Sequence, residues 1–169
     1  DKIEVFNSKG QFLEASISLI NKKTCEIFSI GDTKIQKKTF PKISLGISEI
    51  KNFEKILNEV TQLGVYRVDC LSSERSKFLK KPSEKKIKRW KKVVTGACEQ
   101  SGNNWMPQIG HKTLDKWQME ISSENKFYLN PGENKNIESL SKLDELYFSI
   151  GPEGGFSPKE IDKMKSNGL

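Results

Sequence analysis

Two stretches of this chain carry residue types that could do chemistry, and neither is built around a conventional nucleophile. The first is Ile150-Gly151-Pro152-Glu153-Gly154-Gly155-Phe156, which follows the apolar run Leu146-Tyr147-Phe148-Ser149 and precedes Ser157-Pro158-Lys159-Glu160. The run reads as a buried strand. Ser157 suits a helix N-cap, Pro158 the first helical position, and Glu160 the far end of a capping box. Strand, glycine loop and helix in that order recur where small ligands sit at the carboxyl ends of strands, because glycine lets a ligand approach the main chain. The same spacing also fits an ordinary tight turn. No Gly-Lys-Ser/Thr and no Gly-x-Gly-x-x-Gly is present, so nothing in the loop demands a phosphate.

The second stretch runs from Arg75 to Lys92. It holds ten cations (Arg75, Lys77, Lys80, Lys81, Lys85, Lys86, Lys88, Arg89, Lys91, Lys92) and one acid, Glu84. A helix face kept basic only for solubility gains from acids at i,i+4, and these are missing here. The run therefore points to a polyanion, with sequence-independent, salt-sensitive contacts to phosphates. Farther on, Glu99-Gln100-Ser101-Gly102 sets a carboxylate and an amide beside a glycine turn. They could face the hydrogen-bonding edge of a base, or simply end a helix.

Other chemistries find little support. His111 stands beside Lys112 in what reads as a polar loop, without a serine or cysteine elbow, and fits a surface residue better than a base. Cys25, Cys70 and Cys98 are an odd number without Cys-x-x-Cys spacing, which argues against a zinc site or a disulfide framework. The expectation is a reduced, cytoplasmic protein without a metal. No apolar run has membrane-spanning length and no signal-peptide pattern opens the chain. The 169 residues fit one domain, or one domain and part of another, and the net charge of +7 agrees with a polyanionic partner. The chain opens on Asp1 inside a strand-like segment, so further sequence is expected upstream.

The elements that must position these residues change character near residue 40. Lys2–Phe6, Phe12–Ile20 and Thr24–Ile30 alternate as strands at hairpin spacing, as in a small barrel or part of one, and 31–41 reads as a polar linker. Lys42–Ile47 is then a strand. Ile50, Phe53, Leu57, Val60 and Leu63 recur at helical spacing up to Gly64, and Val65–Leu71 is a strand again. Strand, helix, strand implies a parallel sheet. A second helix is expected over Ser83–Ser101, with Ile87, Trp90, Val94, Ala97 and Ser101 inward and Gly102 ending it. Trp105–Ile109 reads as a strand, Thr113–Ile121 as a short helix, and Lys126–Asn130 as a strand before Pro131-Gly132. The last strand, the glycine loop and a final helix ending near Gly168 complete an α/β arrangement behind a small β segment.

Ser73-Glu74-Arg75-Ser76, Glu99-Gln100-Ser101-Gly102 and Ile150-Gly151-Pro152-Glu153-Gly154-Gly155-Phe156, in this order, resemble the ribosomal RNA small-subunit methyltransferase E family, of the SPOUT class. Gln62-Leu63-Gly64-Val65 and Leu129-Asn130-Pro131-Gly132 resemble two weaker motifs of the same family. The resemblance spans Asp1 to Leu169. It implies part of a PUA-like, RNA-binding barrel over 1–40, then a SPOUT domain over 41–169 whose parallel sheet ends in a trefoil knot. It implies S-adenosylmethionine (SAM) as methyl donor and N3 of a uridine in small-subunit (16S) rRNA as acceptor, in naked rRNA or the assembled subunit. A homodimer is implied as well.

On this resemblance Leu129, Pro131, Gly132, Ile150, Gly151, Glu153, Gly154 and Gly155 would hold SAM. Arg75, Lys77, Lys85, Lys88, Arg89 and Lys92 would position the RNA, with Glu99 and Gln100 as candidates for the wall facing the target. No residue is assigned as the base. The chain departs from the family pattern at Gln62, Asn103 and Asn130, and a third cofactor loop would follow Leu169. These departures make two alternatives specific: an RNA-binding or ribosome-associated module with a degenerate SAM site, and a SPOUT enzyme for another RNA position.

Overall fold

The structure, a computed structural model, describes residues 1–48, 50–76, 81–121, 125–129, 140 and 142–167. The alternating first thirty residues form an antiparallel sheet. Strands β1 (Lys2–Phe6), β2 (Gln11–Ile20) and β3 (Cys25–Ser29) pair in that order, and β4 (Lys34–Ile35) pairs with β2. The β1–β2 turn is closed by Asn7, whose Oδ1 accepts from the amides of Lys9 at 2.8 Å and Gln11 at 3.2 Å. Asparagine commonly holds a turn this way.

The remaining strands, β5 (Lys42–Ser48), β6 (Arg67–Ser72), β7 (Gln108–Thr113), β8 (Lys126–Leu129) and β9 (Glu145–Ile150), make one sheet in the order β7-β6-β5-β9-β8. Every pairing in it is parallel. The helices are α1 (Phe53–Gln62), α2 (Glu84–Ser101), α3 (Leu114–Glu120) and α4 (Pro158–Ser166). Among the described residues, no helix is long and apolar enough to cross a membrane.

The period-2 alternation of the strands sorts the core into two layers. Leu45, Ile47, Val68 and Cys70 face α1 and α2, where Phe53, Leu57, Trp90, Val94 and Cys98 complete a buried cluster. Phe53 and Trp90 join the two helices, their ring centroids 4.8 Å apart. On the other face Leu71 and Phe156 pack with Leu114, Trp117 and Ile121 of the α3 region and Met164 of α4. Gly46 in the central strand belongs to this second face. A Cβ there would lie 2.7 Å from the Trp117 ring and 2.8 Å from Leu71, so the indole occupies the place a side chain would need.

Helix ends follow their local signals. Ser83 and Thr113 cap α2 and α3 by accepting from Lys86 N and Lys116 N, while Gly64 and Gly102 take left-handed φ at the ends of α1 and α2. Several expectations change. The stripe of α2 ends at buried Cys98 and not at Ser101, which is exposed and turns its hydroxyl back to Ala97 O at 2.7 Å. The strand expected over Trp105–Ile109 starts later, at Gln108. Trp105 makes only an isolated bridge to Lys9, because the six residues after α2 dock on the first sheet. His111 accordingly lies within β7 and not in a loop, its Nε2 2.9 Å from Ser72 Oγ.

Segment 31–41, expected as a linker, is fastened at both ends of its middle. It contributes β4, and Gln36 then bonds Gly102 O through Nε2 at 2.9 Å and Asn104 N through Oε1 at 2.7 Å. Gln36 O also accepts from Trp105 Nε1 at 2.9 Å. A polar composition reads as a loop, but here the polar groups satisfy main-chain partners of a distant segment.

Candidate functional site

From β5 the chain steps outward to β6 and β7 on one side, then returns through the opposite edge, β8, to β9 beside β5. The strand order therefore reverses between β5 and β9. Chains leaving the carboxyl ends of two such neighbours diverge to opposite faces and open a crevice, the usual place for a ligand in an open parallel sheet. Here α1 packs on one face and α4 on the other. The glycine loop leaves β9 at this crevice. Ile150 pairs laterally with Ile47 of β5 and with Leu129 of β8, so two segments expected to hold one ligand meet at one edge.

The loop is held by its own main chain and by neighbouring segments, and it leaves open space beside two of its glycines. Gly155 N donates to Pro152 O at 2.8 Å, and Gly155 has φ of 67°, which favours glycine. Gly151 is enclosed: a Cβ would lie 3.1 Å from Phe156 N and 3.2 Å from Gly155 C. At Gly154 an added Cβ would meet only Arg75 Cδ at 3.8 Å, and at Gly155 nothing within 4 Å. Phe156 is buried in the lower core and anchors the loop's end. Glu153 is exposed at the tip.

Glu160 does more than close the capping box. Its Oε2 accepts from Ser157 N at 2.8 Å and Ser157 Oγ accepts from Glu160 N at 3.2 Å, while Oε1 accepts from Glu74 N at 2.8 Å. The Ser73–Ser76 turn after β6 is thereby tied to the start of α4. Arg75 reinforces the tie. Its Nη1 donates to Gly154 O at 2.8 Å and to Phe156 O at 3.4 Å. The guanidinium expected to meet RNA thus grips the glycine loop.

Beneath the crevice lies a polar layer that the sequence did not announce. Ser48 Oγ at the end of β5 is 3.0 Å from Ser73 Oγ, which is 2.6 Å from Ser76 Oγ. Trp117 Nε1 donates to Ser149 Oγ at 3.2 Å. These serines look unremarkable in strands and turns; only their shared strand-end position could have singled them out.

The other expected site residues are dispersed. Lys85, Lys88 and Lys92 are exposed on α2 and, among the described residues, carry no ion pair, which leaves them open to phosphates. Arg89 instead pairs with Glu54 of α1 at 2.7 Å. Lys86 lies 5.6 Å from the Trp90 ring centroid. Because α2 runs back between parallel β6 and β7, its first turn lies at the strand ends that carry the crevice. Its last turn, with exposed Glu99 and Gln100, lies about 27 Å away by helix length. The structure therefore does not bring Glu99 and Gln100 to the glycine loop of the same chain. Lys77, Asn130, Pro131 and Gly132 lie outside the described residues.

Asn103, one of the departures from the family pattern, and its neighbour Asn104 are structural. Asn103 Nδ2 donates to Thr61 O at 3.1 Å, and buried Asn104 donates through Nδ2 to Glu4 Oε1 at 3.2 Å. Shifted titrations lie away from the crevice. Burial, with Glu99 second, pushes the Cys98 thiol up to about 11, which makes it a poor nucleophile. Burial first, then the charge of Arg67, lowers Lys112, while Asp69 opposes them.

Comparison with known proteins agrees with this architecture. The model of the RNA methyltransferase domain family matches residues 36–169. Over 177 residues the chain is 30% identical to ribosomal RNA small subunit methyltransferase E of Buchnera aphidicola from Schizaphis graminum, covering all of this chain and 72% of that protein. Ribosomal RNA small subunit methyltransferase E 2 of Borreliella burgdorferi is 27% identical over 177 residues, with the same two coverages of 100% and 72%. A Legionella pneumophila structure, solved as a methyltransferase in complex with the bound cofactor SAM, superposes with a TM-score of 0.88 at 27% identity. The match covers 99% of this chain and 72% of that one. A Neisseria gonorrhoeae ribosomal RNA small subunit methyltransferase E, at 22% identity and a TM-score of 0.87, shares the fold over 99% of this chain and 72% of its own.

Proposed function

The chain belongs to the ribosomal RNA small subunit methyltransferase E family, and from that premise we propose that it moves a methyl group from SAM to N3 of a uridine in small-subunit rRNA. The observation that carries this reading is the glycine loop at the strand-order reversal, with open space where side chains would stand at Gly154 and Gly155. Bound there, SAM would supply an electrophilic methyl group on a sulfonium. Leu129, Ile150, Gly151, Gly154 and Gly155 would line its seat, with Pro131 and Gly132 as further members and Glu153 as the carboxylate that complements the sulfonium. Tyr128, beside Leu129, has a buried hydroxyl with no hydrogen-bond partner among the described residues, a polar group that a bound ligand could satisfy.

The chain's own contribution is mainly placement. Arg75 and Glu160 hold the loop in one shape before a ligand arrives, which lowers the ordering cost of binding. Lys85, Lys88 and Lys92, at the crevice end of α2 and along it, would hold phosphates so that a uridine ring meets the methyl group in line. The N3 imide proton must leave during attack, and no side chain is assigned to take it. In the same reading, residues 1–40 are part of a PUA-like RNA-binding barrel and 41–169 a SPOUT domain with a trefoil knot, working as a homodimer on small-subunit rRNA or the assembled subunit.

Calorimetric titration with SAM, followed by transfer of labelled methyl to small-subunit rRNA and to assembled subunits, tests the proposal. A saturable heat with transfer to either acceptor is expected. Absence of any saturable heat would instead make the chain a binding module with a degenerate site.

A further inference from the structure

A second concave feature of the molecule lies away from the glycine loop. It is a cleft of about 310 Å³ at the opposite end of the strands, where the first sheet meets the start of β5, β6 and β7. Lys42 opens β5, Tyr66 stands before β6, and Gln108 opens β7; Lys9 from the β1–β2 turn, Lys38 from the segment after β4, and Trp105 also line it. Among the described residues no carboxylate lines it. Its volume is at the lower bound of small-ligand sites, roughly 300 Å³, suited to one nucleotide-sized group.

The groups in the cleft are fixed in complementary roles. Gly10 packs on the Trp105 indole so closely that no side chain could stand there. Lys38 Nζ lies 4.3 Å from the Trp105 ring centroid, which keeps an exposed ammonium at the cleft with no carboxylate partner among the described residues. Lys42 is different: Glu145 holds it at 2.8 Å, and it lies 5.8 Å from the Tyr66 ring. Tyr66 is 40% exposed, so part of its aromatic surface is available for stacking. Gln108 Nε2 is 3.4 Å from Tyr66 Oη and brings an amide to the same ring. An aromatic platform, an adjacent amide and unneutralised ammonium groups together match an unstacked base with its phosphate, the way single-stranded RNA is recognised.

We propose that this cleft is a second RNA subsite, which takes one unpaired nucleotide with its base on Tyr66 and its phosphate on Lys38 and Lys9. It rests on the RNA-methyltransferase reading and adds an anchor to it. The strand length puts it about 20 Å from the glycine loop, so it grips RNA several nucleotides from the reacting base. Its effect should fall on binding and not on the chemical step.

The test uses the full-length protein and an octamer of uridylate. Of the three tryptophans in this sequence, Trp90 and Trp117 are 0% and 1% exposed, so the acrylamide quenching of these three reports mainly on Trp105. The octamer should shield Trp105, and Tyr66→Ala and Lys38→Gln should each weaken octamer binding about tenfold. Both variants should raise KM for rRNA and leave kcat within twofold. Lys38→Gln is the check on folding, because its side chain is exposed. An unshielded Trp105 with unchanged KM in both variants, in an enzyme that still methylates rRNA, would overturn the subsite alone. Shielding that Tyr66→Ala removes, in a protein that transfers no methyl group, would support the subsite and overturn the methyltransferase reading.

Discussion

Replacing Arg75 by alanine separates two roles that the residue could play. In the structure its guanidinium donates to Gly154 O at 2.8 Å and, at a weaker 3.4 Å, to Phe156 O. A hydrogen bond from a charged donor contributes about 1.5 to 3 kcal/mol, and exposure of Arg75 puts this one at about the lower figure. If the bond holds the loop in its ligand-ready shape, losing it should raise the Kd for SAM about tenfold, since about 1.4 kcal/mol is one decade. Global stability should hardly change, because Arg75 belongs to neither core cluster. Arg75→Lys keeps a cation that can reach Gly154 O and should recover most of the affinity. Calorimetry with SAM, thermal melting, and RNA binding at two salt concentrations make up the assay. The argument fails if SAM affinity is unchanged while RNA affinity drops and the salt slope falls by about 0.7, the signature of one lost phosphate contact on a single strand.

Three further outcomes follow from the same geometry. Replacing Lys85, Lys88 and Lys92 together by Glu should weaken RNA binding steeply and flatten its dependence on salt; an unchanged slope in filter binding would make α2 a solvated face. Ser157→Ala removes the N-cap of α4 and should cost about 1 kcal/mol in urea unfolding, whereas no loss would show that Glu160 alone holds the helix start. Hydrogen bonds from Lys42 and then Tyr147 hold the Glu145 carboxyl below its usual range, and the bond to Glu145 holds Lys42 above its own. Glu145 therefore contributes stability above its unfolded value of about 4.3 that is lost as pH falls through the depressed folded one. The Lys42 contribution is present below about 10.4 and lost as pH rises through its raised value. Melting temperatures of wild type and Glu145→Gln should converge in acid, and parallel curves would contradict the pairing.

What the sequence made legible was local. Ser83, Ser157, Gly64 and Gly102 act within a few residues of themselves, so their types and spacing sufficed to mark helix ends. Strand alternation likewise sorted Val68 and Cys70 from Leu71. The glycine loop could be recognised as a ligand loop or a turn, but its place at the β5–β9 reversal depends on strand order, which neighbouring residues do not encode. Arg75 was read from its charge, and its carbonyl partner lies 79 positions away. Trp105 looked like a strand residue for the same reason: Gly10 and Gln36, which hold its ring, are far along the chain. Segment 31–41 was polar enough to pass for a linker because a hydrogen-bonded glutamine and a solvated one look alike in sequence.

Nucleoside analysis by mass spectrometry tests the central claim most directly. Small-subunit rRNA lacking the modification would be incubated with the full-length protein and SAM, digested, and compared with an incubation without SAM. The account predicts one new methylated nucleoside, 3-methyluridine, whose yield depends on SAM and falls in Gly154→Val. Methyl incorporation at another base or position would contradict the proposed acceptor, and no incorporation at all would contradict the proposed activity.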